Sequence, residues 1–184
     1  MAESVSQSIA IEKVMSNTDK ERTRTYNWRD PMETLTLFKG NRPLDVLRET
    51  LESGRPLAPM LQTMNAQLME VEEGRAVFVA TPSEYHYNPA GVVHGGMAAT
   101  LLDSAMGIAV LSSLPAGMIF TTLELKVNFL RAMTTATGEV RAEGNIVHRG
   151  RTTAVVEARL TDAAGKLLAT ASSTCLIMPL DQRR

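Results

Sequence analysis

Asn88-Pro89-Ala90-Gly91-Val92-Val93-His94-Gly95-Gly96-Met97, with the nearly unbroken apolar run that follows to Ser113, is the stretch around which the chain is arranged. Asn88-Pro89 favours a turn and disfavours helix just before it. The Gly95-Gly96 pair lets the backbone approach a ligand or another strand without side-chain obstruction. From Met97 to Leu114 the polar positions are Thr100, Asp103, Ser104, Ser112 and Ser113, while Leu101, Leu102, Ala105, Met106, Ile108, Ala109 and Val110 cover every side of a helical wheel. A helix that is apolar all round is a buried one. The stretch therefore predicts a glycine-rich loop feeding a core helix, with one carboxylate, Asp103, in the middle of that helix. Desolvation there penalises the charged form unless something pairs with it.

Strand signals lie on both sides. Met64–Val71 alternates approximately, Glu73-Gly74 makes a turn, and Ala76–Ala80 is the hairpin partner. After the helix, Phe120–Leu130 sets Leu123, Leu125, Val127 and Phe129 against Thr122, Glu124, Lys126 and Asn128. Gly138–Val147 alternates less strictly, Thr152–Thr161 alternates well, and Asp162-Ala163-Ala164-Gly165 turns into Leu167–Ile177. Two strands, one long helix and four more strands give an α+β domain in which an antiparallel sheet wraps around the helix to bury it. Upstream, Pro43–Gly54 reads as a helix with Leu44, Leu47 and Leu51 on one face. Residues 1–30 suggest a short exposed helix or arm, and Trp28, Leu35, Leu37 and Phe38 an interaction arm or a strand against a neighbouring subunit. The expected division is an N-terminal extension with a short helix over 1–54 and the sheet-and-helix domain over 55–184.

Composition narrows the function. The 184 residues are 44% hydrophobic, enough for a sizeable core, and the formal net charge of −1 gives no nucleic-acid footprint. One cysteine, Cys175, rules out an intramolecular disulfide framework and suits a reducing cytoplasm. It lies in a strand with no adjacent base, which argues against a nucleophilic role. The start of the chain lacks the pattern of a signal or transit peptide, and the segment nearest to a membrane span, Met97–Leu114, is interrupted by Asp103 and four hydroxyl residues. His86, His94 and His148 lack metal-ligand spacing.

Asn88-Pro89-x-Gly91-x-x-His94-Gly95-Gly96, with Asp103 on the ensuing helix, Thr122-x-Glu124-x-Lys126-x-x-Phe129-Leu130-Arg131 on the next strand and His148-Arg149-Gly150-Arg151, resembles the hotdog-fold acyl-CoA thioesterases of the PaaI type over about residues 55–180. The resemblance implies a hotdog fold, a homodimer or a dimer of dimers, no metal and no cofactor, and hydrolysis of an acyl-CoA thioester. It assigns Asp103 as nucleophile or general base, Gly95 as oxyanion donor, and Asn88 as the group that holds the carbonyl or the water. Thr122 would orient that water. The first 40–55 residues have no counterpart in the family.

The roles of Asp103 and of the glycine amides also follow from the residues. Thioester hydrolysis needs a proton acceptor or nucleophile, and donors aimed at the oxygen that gains charge. Asp103 is the only carboxylate on the helix, and the Gly95 and Gly96 amides at its start are unsatisfied donors. His94 reads more as a loop-shaping residue than as a proton carrier, and Thr122 competes with Thr121 for the place beside the acid. Arg149 and Arg151, with Arg131, are candidates for coenzyme A phosphates. Met97, Leu101, Met106 and Leu111 are candidates to line the acyl pocket. Gly95 and Asp103 stand eight residues apart, about 12 Å along one helix, so one carbonyl reaches both only if two subunits share the site. The alternatives are a non-catalytic acyl-CoA-binding or regulatory domain, and a hydratase on the same fold.

Overall fold

The structure is a computed structural model and describes residues 21–182. Most of the arm expected within residues 1–30 lies outside the described residues; residues 21–30 are an irregular, largely exposed lead-in. Two helices come next where one was expected. The first, α1 (Pro31–Gly40), begins at Asp30, whose carboxylate accepts the Met32 N–H at 2.9 Å, with Pro31 inside the first turn. The strand expected around Leu35–Phe38 is thus a helix, because a capping aspartate and a proline start it and only Phe38 is buried. α2 (Pro43–Glu52) buries Leu44 and Leu47 of the expected face together with Val46, while Leu51 is only partly buried. A one-turn helix, α3 (Pro59–Thr63), stands where the sequence showed only proline punctuation.

β1 (Ala66–Glu72) and β2 (Arg75–Ala80) form the predicted hairpin, closed by Glu73 and by Gly74 at φ +79°. The long helix α4 (Gly95–Ser112) is next, then β3 (Met118–Phe129), β4 (Val140–Arg149), β5 (Thr153–Asp162) and β6 (Leu167–Pro179). The sheet is antiparallel in the order β1-β2-β4-β5-β6-β3. This is the α+β hotdog architecture.

α4 has the length and apolarity of a membrane span, but it is mostly enclosed by the sheet. Leu101, Leu102, Met106 and Val110 on the helix pack with Phe78, Val156 and Leu160 of the strands. The closest approach is at Gly144 of β4, where an added Cβ would lie 2.5 Å from the Ala105 carbonyl carbon. Only glycine lets the strand run so near the helix backbone. The helix nevertheless keeps one partly open stripe, along Ala99, Thr100, Asp103, Ser104 and Ile108.

The alternation predicted for β3 fails at one residue. The pairing with β6 skips Leu123, since Thr122 opposes Cys175 and Glu124 opposes Thr174. A bulge inserts a residue and reverses the side on which later side chains fall. Thr122 therefore shares the inner face with Leu125, Val127 and Phe129 rather than standing against them. A second shift, between Ile146 and His148, takes the exposed Val147 out of the alternation at the end of β4.

Candidate active site

The loop before α4 is built from its own polar groups. The Asn88 side-chain oxygen accepts the Ala90 N–H at 2.9 Å and the Val92 N–H at 3.4 Å, while its backbone N–H donates to the Val92 carbonyl at 2.8 Å. Two further bonds pin the loop: Val93 N–H donates to the Met133 carbonyl at 2.9 Å and His94 N–H to the His86 carbonyl at 2.7 Å. Asn88 is thus a turn residue whose oxygen is committed to the loop, which leaves its amide Nδ2 as a donor without a partner among the described residues.

His94 is the N-cap of α4, its Nδ1 accepting the Gly96 N–H at 2.8 Å. The two glycines are therefore unequal. Gly96 gives its amide to the imidazole and is no longer a donor for a ligand, whereas among the described residues the Gly95 amide has no acceptor. It points from a helix N-terminus, where the aligned peptide dipoles favour negative charge. His94 fixes the loop by accepting a proton donor, as a loop-shaping residue should.

Asp103 is half-buried on the open stripe of α4. The Thr122 hydroxyl donates to its Oδ1 at 3.0 Å, which decides between Thr122 and the exposed Thr121. The β3 bulge makes this contact, and Ser173 steadies the bulge by donating to the Glu124 carbonyl at 2.7 Å. Asp103 Oδ2 is left without a partner among the described residues. Cys175 pairs across the strands with Thr122 and is 1% exposed, and burial pushes its thiol up, away from the reactive thiolate. His86, under the loop, is pushed down by burial and by the nearby Arg24.

The pocket expected along Met97, Leu101, Met106 and Leu111 is not there. All four side chains are at most 5% exposed and belong to the core, because the sheet closes over that side of the helix. Instead, an apolar groove of about 460 Å³ opens beside Gly95, lined by Val92, Ala98, Phe129, Leu130, Met133 and Leu160, with Arg131 among its lining residues. The Phe129 ring lies over Gly95, its Cζ 3.0 Å from where a Cβ would stand. No periodicity in the sequence announced the groove, which is assembled from four separate segments.

The basic cluster is divided. Arg149 donates to the Ser113 carbonyl at 2.8 Å and so caps the C-terminus of α4, and Arg131 donates to the Leu167 carbonyl at 2.6 Å. Arg151 is exposed and makes no such bond among the described residues. Arg149 and Arg151 stand at the far end of α4 from Gly95, about 26 Å along an 18-residue helix.

Comparison with known proteins agrees with this geometry. A family model described as thioesterase superfamily matches residues 90–169, from the glycine loop into β6. A Saccharolobus solfataricus protein named provisionally as an esterase is 36% identical over 115 residues, covering 62% of this chain and 80% of that one. The 1,4-dihydroxy-2-naphthoyl-CoA hydrolase of Listeria monocytogenes is 30% identical over 116 residues, covering 63% and 93%. Among solved structures, the Escherichia coli PaaI protein from the phenylacetic acid degradation operon superimposes with a TM-score of 0.63 at 20% identity, over 71% of this chain and 92% of that one.

Proposed function

The chain belongs to the thioesterase superfamily and its chemistry is thioester hydrolysis, and from that premise we propose that it hydrolyses acyl-CoA thioesters as a homodimer whose two sites are each shared between subunits. The observation that carries the reading is the placement of two groups on one helix: the open Gly95 amide at its start and the Thr122-held Asp103 at its middle. Eight residues separate them, about 12 Å, too far for one carbonyl. A two-fold axis perpendicular to the sheet at the middle of β3 removes the difficulty, because it brings each Asp103 to the partner's Gly95. A coenzyme A thioester is supported by the Listeria relative, whose name specifies one.

The steps follow from the groups. The acyl chain lies in the apolar groove and the carbonyl oxygen meets the Gly95 N–H, with Asn88 Nδ2 as a second donor. A water attacks the carbonyl carbon and gives its proton to Asp103 Oδ2, while Oδ1 is held by Thr122. The oxyanion settles on the helix N-terminus, where fixed donors stabilise it without reorganisation. On collapse the C–S bond breaks and the proton passes to the departing coenzyme A thiolate. Direct attack by Oδ2 on the carbonyl uses the same geometry. Arg151 and the two guanidinium nitrogens of Arg131 that have no partner among the described residues are the cations offered to the coenzyme A phosphates.

Release of free thiol from a panel of acyl-CoA esters tests the activity. Asp103→Asn should lower turnover by roughly 10²–10⁴-fold while acyl-CoA still binds, since the amide is nearly isosteric but accepts no proton. More than a tenth of wild-type rate in that variant sinks the assignment. The shared site is tested by mixing Asn88→Ala, which dismantles the loop presenting Gly95, with Asp103→Asn. Random exchange should restore about a quarter of wild-type activity, because half the dimers are mixed and each has one intact site of two.

A further inference from the structure

We propose that α1 is a wall of the acyl pocket supplied in trans: its Met32–Leu35 face closes over the partner's Phe129–Met133 segment and so selects the acyl group. The inference rests on the shared-site dimer proposed above. Within one protomer, Thr122 is bonded to Asp103 and the Phe129 ring covers Gly95. For Asp103 to work on the same carbonyl as the partner's Gly95, Thr122 must lie close to the partner's Phe129. Antiparallel pairing then fixes the remainder of the strand, to within the one residue that the bulge at Leu123 adds. Past the bulge Lys126 meets the partner's Lys126 at the two-fold axis, and before it Met118 comes opposite the partner's Met133.

The element at the start of β3 is therefore the one that faces the partner's groove. In this structure it is α1. Met32, Leu35 and Lys39 border an open gap of about 660 Å³ whose other walls are Gly117, Leu180 and Asp181. Gly117 immediately precedes β3, so the gap opens toward the paired edge. On the opposite side of the same junction, Phe129 and Leu130 are 58% and 51% exposed, and Met32 is 50% exposed. Each surface is apolar and uncovered within a protomer, and the strand register lays one against the other. The occupant of the gap is thus a second copy of this chain. Because Phe129 and Leu130 also line the groove beside Gly95, covering them in trans closes its solvent side. A flexible methionine at that wall accommodates extended or aromatic apolar acyl groups and gives little grip on a short one.

Cysteine pairs in the full-length protein test the packing without reference to activity, and the native Cys175, 1% exposed, does not compete. Lys126→Cys alone should form a disulfide-linked dimer on mild oxidation, which reports β3 pairing. Met32→Cys combined with Leu130→Cys should do the same on a non-reducing gel, with neither single variant doing so. If Lys126→Cys links and the double variant does not, the wall is wrong and the dimer stands. If neither links, both fall. If both link in a protein without acyl-CoA turnover, the packing stands and the proposed function falls. The selective role is read with Met32→Asp and Leu35→Asp together: kcat/KM should drop about tenfold or more on octanoyl-CoA relative to acetyl-CoA. An equal drop on both substrates overturns it.

Discussion

The sheet has two edge strands, and they are finished differently. β1 is seven residues long, presents Glu70 and Glu72, and has α3 beside it, where Arg24 of the lead-in donates to the Thr63 and Gln62 carbonyls at 2.7 and 3.0 Å. Arg75 and Arg141 cross-link its acids to β2 and β4. Charge, shortness and cover are the devices by which an edge is kept from pairing. β3 at the other edge is twelve residues long, and along it Leu123, Leu125 and Phe129 are 57%, 37% and 58% exposed. Nothing among the described residues covers it. An open, apolar edge of that length is a template for another strand. The candidate catalytic groups sit against this edge and not the other, which is the side on which the proposed dimer would complete the site.

The largest expected effect comes from spoiling the open edge. Leu125→Asp should convert the protein to monomers in sedimentation velocity and lower acyl-CoA turnover more than about 10²-fold, because it parts the base from the oxyanion donor. Met69→Asp, on the bulge of the finished edge where the side chain is 49% exposed, should change neither, as surface substitutions seldom exceed ~0.5 kcal/mol. An active Leu125→Asp monomer would erase the distinction between the edges and the shared site with it.

Both edges carry a bulge, and the second effect separates their uses. The β1 bulge, after Leu68, turns Met69 into solvent, whereas the β3 bulge turns Thr122 onto Asp103. Thr122→Val keeps shape and removes the hydroxyl. A hydrogen bond to a charged group contributes about 1.5–3 kcal/mol, so kcat should fall roughly 10–100-fold with KM and melting temperature nearly unchanged. If kcat is unaltered, the bulge is structural at both edges.

These contrasts mark what a single sequence discloses. The α4 core, the hairpin and the alternating strands were legible because periodicity depends on which side faces the core, and Asp103, Gly95 and Thr122 were legible as residue types at a motif spacing. The inequality of Gly95 and Gly96 was not, since it depends on one imidazole nitrogen reaching one amide. Nor was the burial of Met97, Leu101, Met106 and Leu111, because an all-apolar helix does not say which side the sheet leaves open. The β3 bulge breaks the alternation without a glycine or proline to signal it, whereas α1 does carry a helix-start pair, Asp30-Pro31, but buries only Phe38 and so has no apolar stripe to extend that signal. Gly144 read as one glycine among twelve until the helix backbone was seen against it.

The smallest effect concerns the finished edge, and it depends on pH. Glu70 accepts from Arg141 at 2.9 Å and from Arg75 at 2.8 Å, and these two guanidinium hydrogen bonds hold its carboxyl at about 2, well below the usual 4.5. A carboxylate whose acidity is raised by folding stabilises the fold above its unfolded value and loses that contribution as pH falls through the folded one. Glu70→Gln should therefore lower the melting temperature slightly at pH 7, and the gap to wild type should close between pH 4.5 and about 2. The Glu70 side chain is 43% exposed, so solvent screens the pairs and the loss stays within the ~0–1 kcal/mol of surface ion pairs. It should also shrink in high salt, because exposed charges are screened there. The same substitution removes a charge from the β1 edge, and the remaining guards of that edge determine whether it stays unpaired. Glu72 still faces solvent, and the lead-in still ties Arg24 to the end of α3. Sedimentation should show no new association through β1. Growth of larger species in Glu70→Gln would mean that a single carboxylate, and not the combination of charge, shortness and cover, keeps β1 from behaving as β3 does.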